Sequence, residues 1–223
     1  MITLISQRTR DTGFFKSDCL EQTYVEYLSK FGFNLVPVPN SPENLGFYLN
    51  LPVERIILTG GGDIGDEISR KRDETEKALL DFAIKNKIPV LGICRGMQFI
   101  NHYFGGKLIK IKDVSDENHV AENHRVNIIE DNVTDLIGNY IEVNSFHNFG
   151  IEQNGLASKL LPFAKSNGGF IEGLYHPQLA IAGIVWHPER DSPNKEANEK
   201  IITAFLKRDL FWKNKKDGSD FRL

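Results

Sequence analysis

Short apolar runs and helically spaced apolar residues alternate along the first half of the chain. The apolar runs predict strands over residues 2–5, 33–38, 55–58 and 90–93. Apolar residues three and four positions apart predict helices over residues 19–31, 41–49 and 73–87, and another that begins after residue 94 and ends at residues 105–106. Residues 6–17 follow neither spacing and predict a polar loop. Strands that alternate with helices are typical of a parallel sheet covered on both faces.

The second half of the chain has a different order of predicted elements. Apolar runs predict strands over residues 108–111, 126–129, 140–143, 163–165, 170–175 and 181–185, and helical spacing predicts a last helix over residues 195–211. Short strands without intervening helices favour an antiparallel or mixed extension of the sheet. We therefore predict one α/β domain over residues 1–223, with a mostly parallel central sheet, helices on both faces and an antiparallel extension.

Composition narrows the class of protein. The 223 residues are 40% apolar and 26% charged, which is ordinary for a globular protein in water. A net charge of −3 does not indicate the basic surface that binds nucleic acid. No apolar stretch approaches the length of a membrane span. Two cysteines, Cys19 and Cys94, do not suggest a disulfide framework. We expect a cytoplasmic protein that binds neither nucleic acid nor membrane, with Cys19 packed on the first helix.

The strand over residues 90–93 leads directly into Gly92-Ile93-Cys94-Arg95-Gly96. Glycine two residues on either side of Cys94 lets a strand and a helix cross closely, as in a nucleophile elbow. A cysteine at a helix N-terminus also lies near the positive end of the helix dipole, which favours the reactive thiolate. Taken alone, the motif fits either a nucleophile or a buried structural cysteine.

Three consecutive glycines, Gly60, Gly61 and Gly62, follow the strand over residues 55–58. They predict either a nest of peptide N–H groups that faces an anion or oxyanion, or a flexible turn. The run lacks the lysine of a P-loop and the spacing of a dinucleotide fingerprint. We therefore do not expect nucleotide phosphates to bind through those motifs.

The segment Trp186-His187-Pro188-Glu189 follows the strand over residues 181–185. Because ligands of open α/β sheets lie beyond the carboxyl ends of the strands, we expect His187 near Cys94. A cysteine nucleophile needs a base, and the base needs a group that orients it. Glu189 is placed to fold back on His187 and fix its tautomer, as the acid does in other triads.

These motifs resemble the class I glutamine amidotransferases, and within them the stand-alone γ-glutamyl hydrolases of the γ-glutamyl-γ-aminobutyrate hydrolase type. The likeness extends over nearly the whole chain and includes the segments 22–28, 35–38, 58–63 and 143–147. It implies a flavodoxin-like three-layer fold and a glutamyl-thioester mechanism that releases glutamate and an amine or amide. The chain also looks like the γ-glutamyl-CDP-amidate hydrolases of capsular polysaccharide biosynthesis.

The resemblance implies a role for each residue that matches the family motifs. Cys94 becomes the nucleophile, His187 the general base and acid, and Glu189 the orienting carboxylate. The N–H groups of Arg95, Gly61 and Gly62 become the oxyanion hole. The residues implied to bind the glutamyl group, largely through backbone groups, are Gln98, Asn144, Ser145, Phe146 and His147.

Two other functions stay open on the sequence. One is a glutaminase that delivers ammonia to a separate synthase partner, and the other is an interaction module with a degenerate site. The expected ligand is a small γ-glutamyl substrate, and a homodimer is the other partner considered.

Several further residues carry weaker signals. His119 and His124 lie five positions apart in a polar loop, a spacing that does not place them on one helical face, so we predict no metal site and no cofactor. The basic residues considered for a pyrophosphate group near the pocket are Arg8, Arg10, Lys107 and Arg125.

Overall fold

A nine-stranded mixed sheet forms the centre of the protein, and the computed structural model describes residues 2–115 and 119–213. The strands of the first half are β1 (Ile2–Ser6), β2 (Arg8–Asp11), β3 (Lys16–Cys19), β4 (Asn34–Val38), β5 (Val53–Leu58), β6 (Val90–Ile93) and β7 (Ile109–Lys110). Those of the second half are β8 (Val120–Ile128), β9 (Tyr140–Phe146), β10 (Phe149–Gly150), β11 (Leu161–Ser166), β12 (Ile171–Tyr175) and β13 (Ile181–Ile184). The helices are α1 (Gln22–Ser29), α2 (Gly46–Leu49), α3 (Arg70–Asn86), α4 (Arg95–Tyr103), α5 (Asp131–Ile137) and α6 (Lys195–Lys207).

The strand order is β4-β1-β5-β6-β13-β12-β11-β8-β9. The first five strands are parallel, and the last four continue the sheet with antiparallel pairing. This arrangement confirms the predicted parallel sheet with an antiparallel extension. The loops after β1, β5, β6 and β13 therefore all leave from one edge of the sheet.

Apolar clusters cover both faces of the sheet. On one face, Leu28 of α1 and Phe205 of α6 pack with Ile57 and Ile184 of the sheet. On the other face, Leu79 of α3 packs in a cluster that also holds residues of α4. The protein is thus a three-layer α/β sandwich, as predicted. No helix within the described ranges combines the length and the apolar character needed to cross a bilayer.

Three predictions of local structure are wrong. The predicted polar loop over residues 6–17 contains β2 and β3, which pair with each other as a hairpin outside the main sheet. Cys19 ends β3 instead of lying on the first helix, and its Sγ is 3.7 Å from the carbonyl oxygen of Arg8. The short strand β7 pairs with β10 in a separate ribbon and does not extend the main sheet.

The second half of the chain also differs from the prediction in two places. Residues 120–124, predicted as part of a polar loop, belong to β8, while residues 116–118 of that loop lie outside the described residues. Helix α5, which the sequence analysis missed, covers the sheet with Val133 buried. Its seven residues are too few to give a clear helical period.

Candidate active site

Cys94 lies at a sharp bend between β6 and α4. Its backbone has φ 54° and ψ −108°, a conformation that non-glycine residues rarely adopt and that is held by its surroundings. A Cβ atom on Gly92 would lie 2.6 Å from the carbonyl of Gly96, and one on Gly96 would lie 2.1 Å from the Leu58 carbonyl oxygen. The two glycines are therefore required for the strand, the bend and the helix to meet.

His187 follows β13 and reaches the same bend. Its Nδ1 lies 2.6 Å from Glu189 Oε1, and both side chains are almost completely buried. Burial alone would lower the pKa of His187, but the Cys94 sulfur and the Glu189 carboxylate together outweigh it and raise the pKa to about 10. The structure thus brings Cys94, His187 and Glu189 together, with an imidazolium that a cysteine thiolate would stabilise.

The glycine loop after β5 lies against this group. A Cβ atom on Gly60 would lie 2.8 Å from His187 Cε1 and 3.4 Å from Cys94 Cβ. Gly61 and Gly62 have φ values of 85° and 78°, which favour glycine. The backbone of the loop therefore lies close to the reactive groups. The alternative interpretation as a flexible turn does not explain this close approach.

A buried arginine orients the loop. Arg72 of α3 donates to the carbonyl oxygens of Thr59, Gly60 and Gly61, at 2.6, 3.2 and 2.5 Å. In a trans peptide the N–H group points opposite to the carbonyl, so the N–H groups of Gly61 and Gly62 point away from Arg72. The N–H of Gly60 donates to the Tyr24 hydroxyl at 2.9 Å, so the predicted donors Gly61 and Gly62 are the loop amides left for an oxyanion.

The guanidinium of Arg72 belongs to a buried charge network. Glu76 accepts from the guanidinium groups of Arg72 and Arg95 and from the Ser6 hydroxyl. Burial alone would raise the pKa of Glu76, but the two arginines outweigh it and lower the pKa. Arg95, which follows the nucleophile, also pairs with Asp73. The network ties α3, α4 and the glycine loop together.

The segment over residues 144–147 lies on the other side of His187. Asn144 Nδ2 donates to the carbonyl oxygens of His187 and Asp191 at 2.8 Å each, and its Oδ1 accepts from the His187 N–H at 2.9 Å. The side chain of Asn144 thus holds the His187 loop, whereas the sequence analysis predicted it as a substrate-binding residue. This is a positioning role that the motif alone does not reveal.

The other residues predicted to bind the glutamyl group are mostly engaged within the protein. The Ser145 hydroxyl donates to the carbonyl oxygen of His119, and Gln98 Nε2 donates to that of Phe149 at 2.9 Å. Phe146 alone of these residues is exposed, and its ring packs edge-on against His187 at 5.8 Å. Their binding role stays a prediction, and it requires backbone groups, as the sequence analysis expected.

The mouth of the site carries charged residues. Arg190 lies 4.7 Å above the ring of Phe146 and pairs with Glu21, which also pairs with Arg8. The Arg8 guanidinium lies 3.3 Å from the position that a Cβ atom on Gly61 would occupy. Arg8 therefore borders the glycine loop, as predicted.

Two other basic residues are not placed near the pocket. Lys107 lies beyond the far end of α4, about 13 Å of helix away from Cys94. Arg125 packs over the ring of Tyr140 at 3.8 Å on the outer strands β8 and β9. Neither residue is therefore a candidate to bind a pyrophosphate group at the pocket.

A second group of titratable side chains lies next to the segment 144–147. Donor atoms of His119, His124 and Glu172 lie within 4.8 Å of one another, and the His147 ring is 4.8 Å from that of His119. Imidazoles around a buried carboxylate form a donor set of the kind that binds zinc. The sequence argument against a metal assumed helical spacing, whereas His124 lies on the extended strand β8. That argument does not hold, and the absence of a metal stays a prediction.

The sequence analysis missed three residues of the site. Tyr24 and Glu76 lie in predicted helices but had no predicted role in the site, and Arg72 lies one residue before the helix predicted over residues 73–87. Burial, with the Glu189 carboxylate nearby, raises the pKa of Tyr24 well above its usual range, so the hydroxyl stays protonated. An arginine and a glutamate four residues apart within one helix are a common surface pair, which gives no sign of burial.

Comparisons with known proteins identify the family and the fold. A model of the Peptidase C26 family matches residues 2–189. The γ-glutamyl-CDP-amidate hydrolase of Campylobacter jejuni is 35% identical over 196 residues, which cover 84% of this chain and 90% of that protein. Anthranilate synthase component 2 of Cyanophora paradoxa is 27% identical over 193 residues, which cover 85% and 94%. The crystal structure of a glutamine amidotransferase from Thermotoga maritima has a TM-score of 0.65 at 15% identity, with 92% of this chain and 83% of that chain covered, and shares the fold.

Proposed function

The chain belongs to the Peptidase C26 family and is a hydrolase of the glutamine amidotransferase type, and from this premise we propose that it cleaves a γ-glutamyl amide through a glutamyl thioester on Cys94. The observation that carries the proposal is the strained Cys94 beside the buried His187–Glu189 pair. The pKa of His187, raised to about 10 by Cys94 and Glu189 against the cost of burial, leaves the imidazole protonated and able to donate to a leaving group.

The first half of the reaction forms the thioester. The Cys94 thiolate attacks the γ-carbonyl carbon, and the oxyanion accepts hydrogen bonds from the N–H groups of Arg95 and Gly61, with Gly62 as the other loop donor. Such donors each contribute about 2.7–4 kcal/mol to the stability of a transition state. His187 then protonates the leaving nitrogen as the C–N bond breaks, and the amine or amide departs.

The second half releases glutamate. His187, now neutral, takes a proton from water, and the resulting hydroxide oxygen attacks the thioester carbon. The C–S bond breaks, which restores the Cys94 thiolate, and Glu189 holds the imidazole in one tautomer throughout. Gln98 and the backbone of residues 145–147 are proposed to hold the glutamyl group.

The leaving group is proposed to be a phosphoramidate of a nucleotide. The support is the relative from Campylobacter jejuni, whose name specifies γ-glutamyl-CDP-amidate as its substrate. A second candidate function is a glutaminase subunit that supplies ammonia to a synthase, and the likeness to anthranilate synthase component 2 favours it. A free-standing cytoplasmic hydrolase needs no partner, whereas a glutaminase subunit needs its synthase.

Steady-state assays of the purified protein test the proposal. We expect turnover of γ-glutamyl-CDP-amidate without any partner, complete loss in Cys94→Ala, and full activity in Cys19→Ala as the matched control. Activity that survives Cys94→Ala would overturn the mechanism. Very low activity on every γ-glutamyl compound that rises when a synthase is added would favour the glutaminase function instead.

A further inference from the structure

The hairpin formed by β2 and β3 borders a cavity at the same edge of the sheet as the candidate active site. We call the cavity of about 310 Å³ between this hairpin and the first turn of α3 the hairpin cavity; it is lined among others by Thr9, Lys16, Ile68, Arg70 and Lys71. The hairpin follows β1, and the segment before α3 follows β5, so both leave from the sheet edge that carries Cys94. The glycine loop lies in the same connection between β5 and α3 as the lining residues Glu67 and Ile68.

The strand order separates the residues proposed to bind the glutamyl group from the hairpin cavity. The residues proposed to bind the glutamyl group lie toward β9 and the His187 loop, on one side of Cys94. The hairpin cavity lies on the opposite side, toward β1 and β4. A substrate whose glutamyl group occupies the first side must direct its leaving group toward the hairpin.

The lining of the hairpin cavity carries three cations and two acids, Asp18 and Glu67. The cations of the lining are Lys16, Arg70 and Lys71, of which Lys71 pairs with Glu43 at 3.7 Å. Arg8, which borders Gly61, pairs with Glu21. The Asp18 carboxylate accepts from Asn40 N at 2.8 Å and from Asn40 Nδ2 at 2.7 Å, and these bonds orient it without removing its charge. Within the described part of the chain, neither Lys16 nor Arg70 forms an ion pair. These charges match a phosphate or diphosphate group.

Two aromatic side chains extend this surface. Phe14 and Phe15 form the tip of the hairpin and are 95% and 66% exposed. The strand rise places the tip about 10 Å beyond Arg8, since three residues separate Arg8 from Asp11. Exposed rings beyond a row of cations provide a stacking surface for a base that follows a diphosphate.

We infer that the hairpin cavity is the leaving-group subsite, and that it binds a nucleoside diphosphate whose terminal phosphorus carries the scissile amide nitrogen. This inference rests on the proposed function. Arg8, Lys16 and Arg70 contact the phosphates, and Phe15 stacks on the base. When the γ-carbonyl–nitrogen bond breaks, His187 gives the nitrogen its proton, and the nucleotide leaves as a phosphoramidate while its phosphorus–nitrogen bond stays intact.

A comparison of two substrates tests the subsite. Lys16→Ala, Arg70→Ala and Phe15→Ala are assayed on γ-glutamyl-CDP-amidate and on γ-glutamyl-p-nitroanilide, which carries no phosphate. We expect KM for the nucleotide substrate to rise about 10- to 100-fold in Lys16→Ala and Arg70→Ala with kcat little changed, since each loses a charge-assisted contact. Turnover of the anilide should be unaffected. Lys85→Ala, an exposed lysine at the other end of α3, is the matched control.

The other outcomes are equally informative. Equal losses on both substrates would overturn the subsite, because the residues would then act on the fold or on the nucleophile. An unchanged KM for the nucleotide substrate in both Lys16→Ala and Arg70→Ala would overturn the choice of ligand. If the protein turns over no γ-glutamyl compound, the proposed function fails. The subsite is then tested by calorimetric binding of CDP to Cys94→Ala. Binding that is lost when Lys16→Ala is added supports the subsite, and no binding to Cys94→Ala overturns it.

Discussion

Replacing Glu189 by glutamine removes one charge from the site and leaves its shape almost unchanged. The carboxylate lies 2.6 Å from His187 Nδ1 in a buried setting. The rise in the pKa of His187 from 6.5 to about 10 corresponds to about 5 kcal/mol in favour of the imidazolium. Because Cys94 and Glu189 share this effect against the opposing cost of burial, Glu189→Gln should lower the pKa of His187 without abolishing the pair.

The rate should fall for the same reason. The equivalent carboxylate-to-amide change in a serine triad costs about 10⁴ in kcat, because the amide stabilises the wrong imidazole tautomer. Here the Cys94 thiolate also supports the imidazolium, so we predict a loss of about 10²- to 10⁴-fold. The alkaline limb of the kcat/KM profile, which reports loss of the imidazolium proton, should move to lower pH.

The assay is the pH dependence of kcat/KM on γ-glutamyl-p-nitroanilide, measured for the wild type, for Glu189→Gln and for the surface control Glu196→Gln. The control carboxylate is exposed in the first turn of α6 and pairs only with Lys200 among the described residues. An unchanged alkaline limb in Glu189→Gln, together with a rate within a factor of a few of the wild type, would refute the orienting role of Glu189.

Three further changes follow from the same structure. Glu76→Leu should destabilise the fold by about 3–5 kcal/mol in denaturant unfolding, because it leaves the buried Arg72 without a carboxylate partner and Arg95 with Asp73 alone; a loss below 1 kcal/mol would contradict the network. Burial lowers the pKa of His147 to about 4 from the usual 6.5, so the unfolded chain binds the proton first, and stability should be complete above pH 6.5 and fall by about 3 kcal/mol as the pH drops toward 4. His147→Gln should flatten that part of the stability curve, and an unchanged slope would show that other groups cause it. Asn144→Ala should lower kcat by more than tenfold through the displaced His187 loop while Cys94 remains open to alkylation; unchanged kcat would show that the loop needs no such support.

The reactive group could be predicted from the sequence because its signals are local or follow from chain topology. Gly92 and Gly96 flank Cys94 within one turn, and the rule that parallel strands end at one edge brings His187 to it across 93 residues. The hairpin was not predicted because both faces of its two strands carry mostly polar residues. Neither of its faces is buried, so no period of two appears in the apolar pattern.

The supporting groups could not be predicted because their roles depend on contacts between distant elements. Arg72 reaches the glycine loop only because α3 packs against β5, and its sequence pattern with Glu76 matches that of a surface pair. His124 and Glu172 meet through the pairing of β8, β11 and β12, whose register the sequence does not specify. Such residues become visible only when the sheet order is known.

The central claim is a covalent bond between Cys94 and a glutamyl group, and rapid-quench mass spectrometry of the Cys94 peptide measures it most directly. During turnover of a γ-glutamyl amide, we predict a glutamyl adduct on that peptide, formed within the first turnover and accumulating further in variants that slow its hydrolysis. Turnover that proceeds with an unmodified Cys94 peptide at every time point would contradict the account.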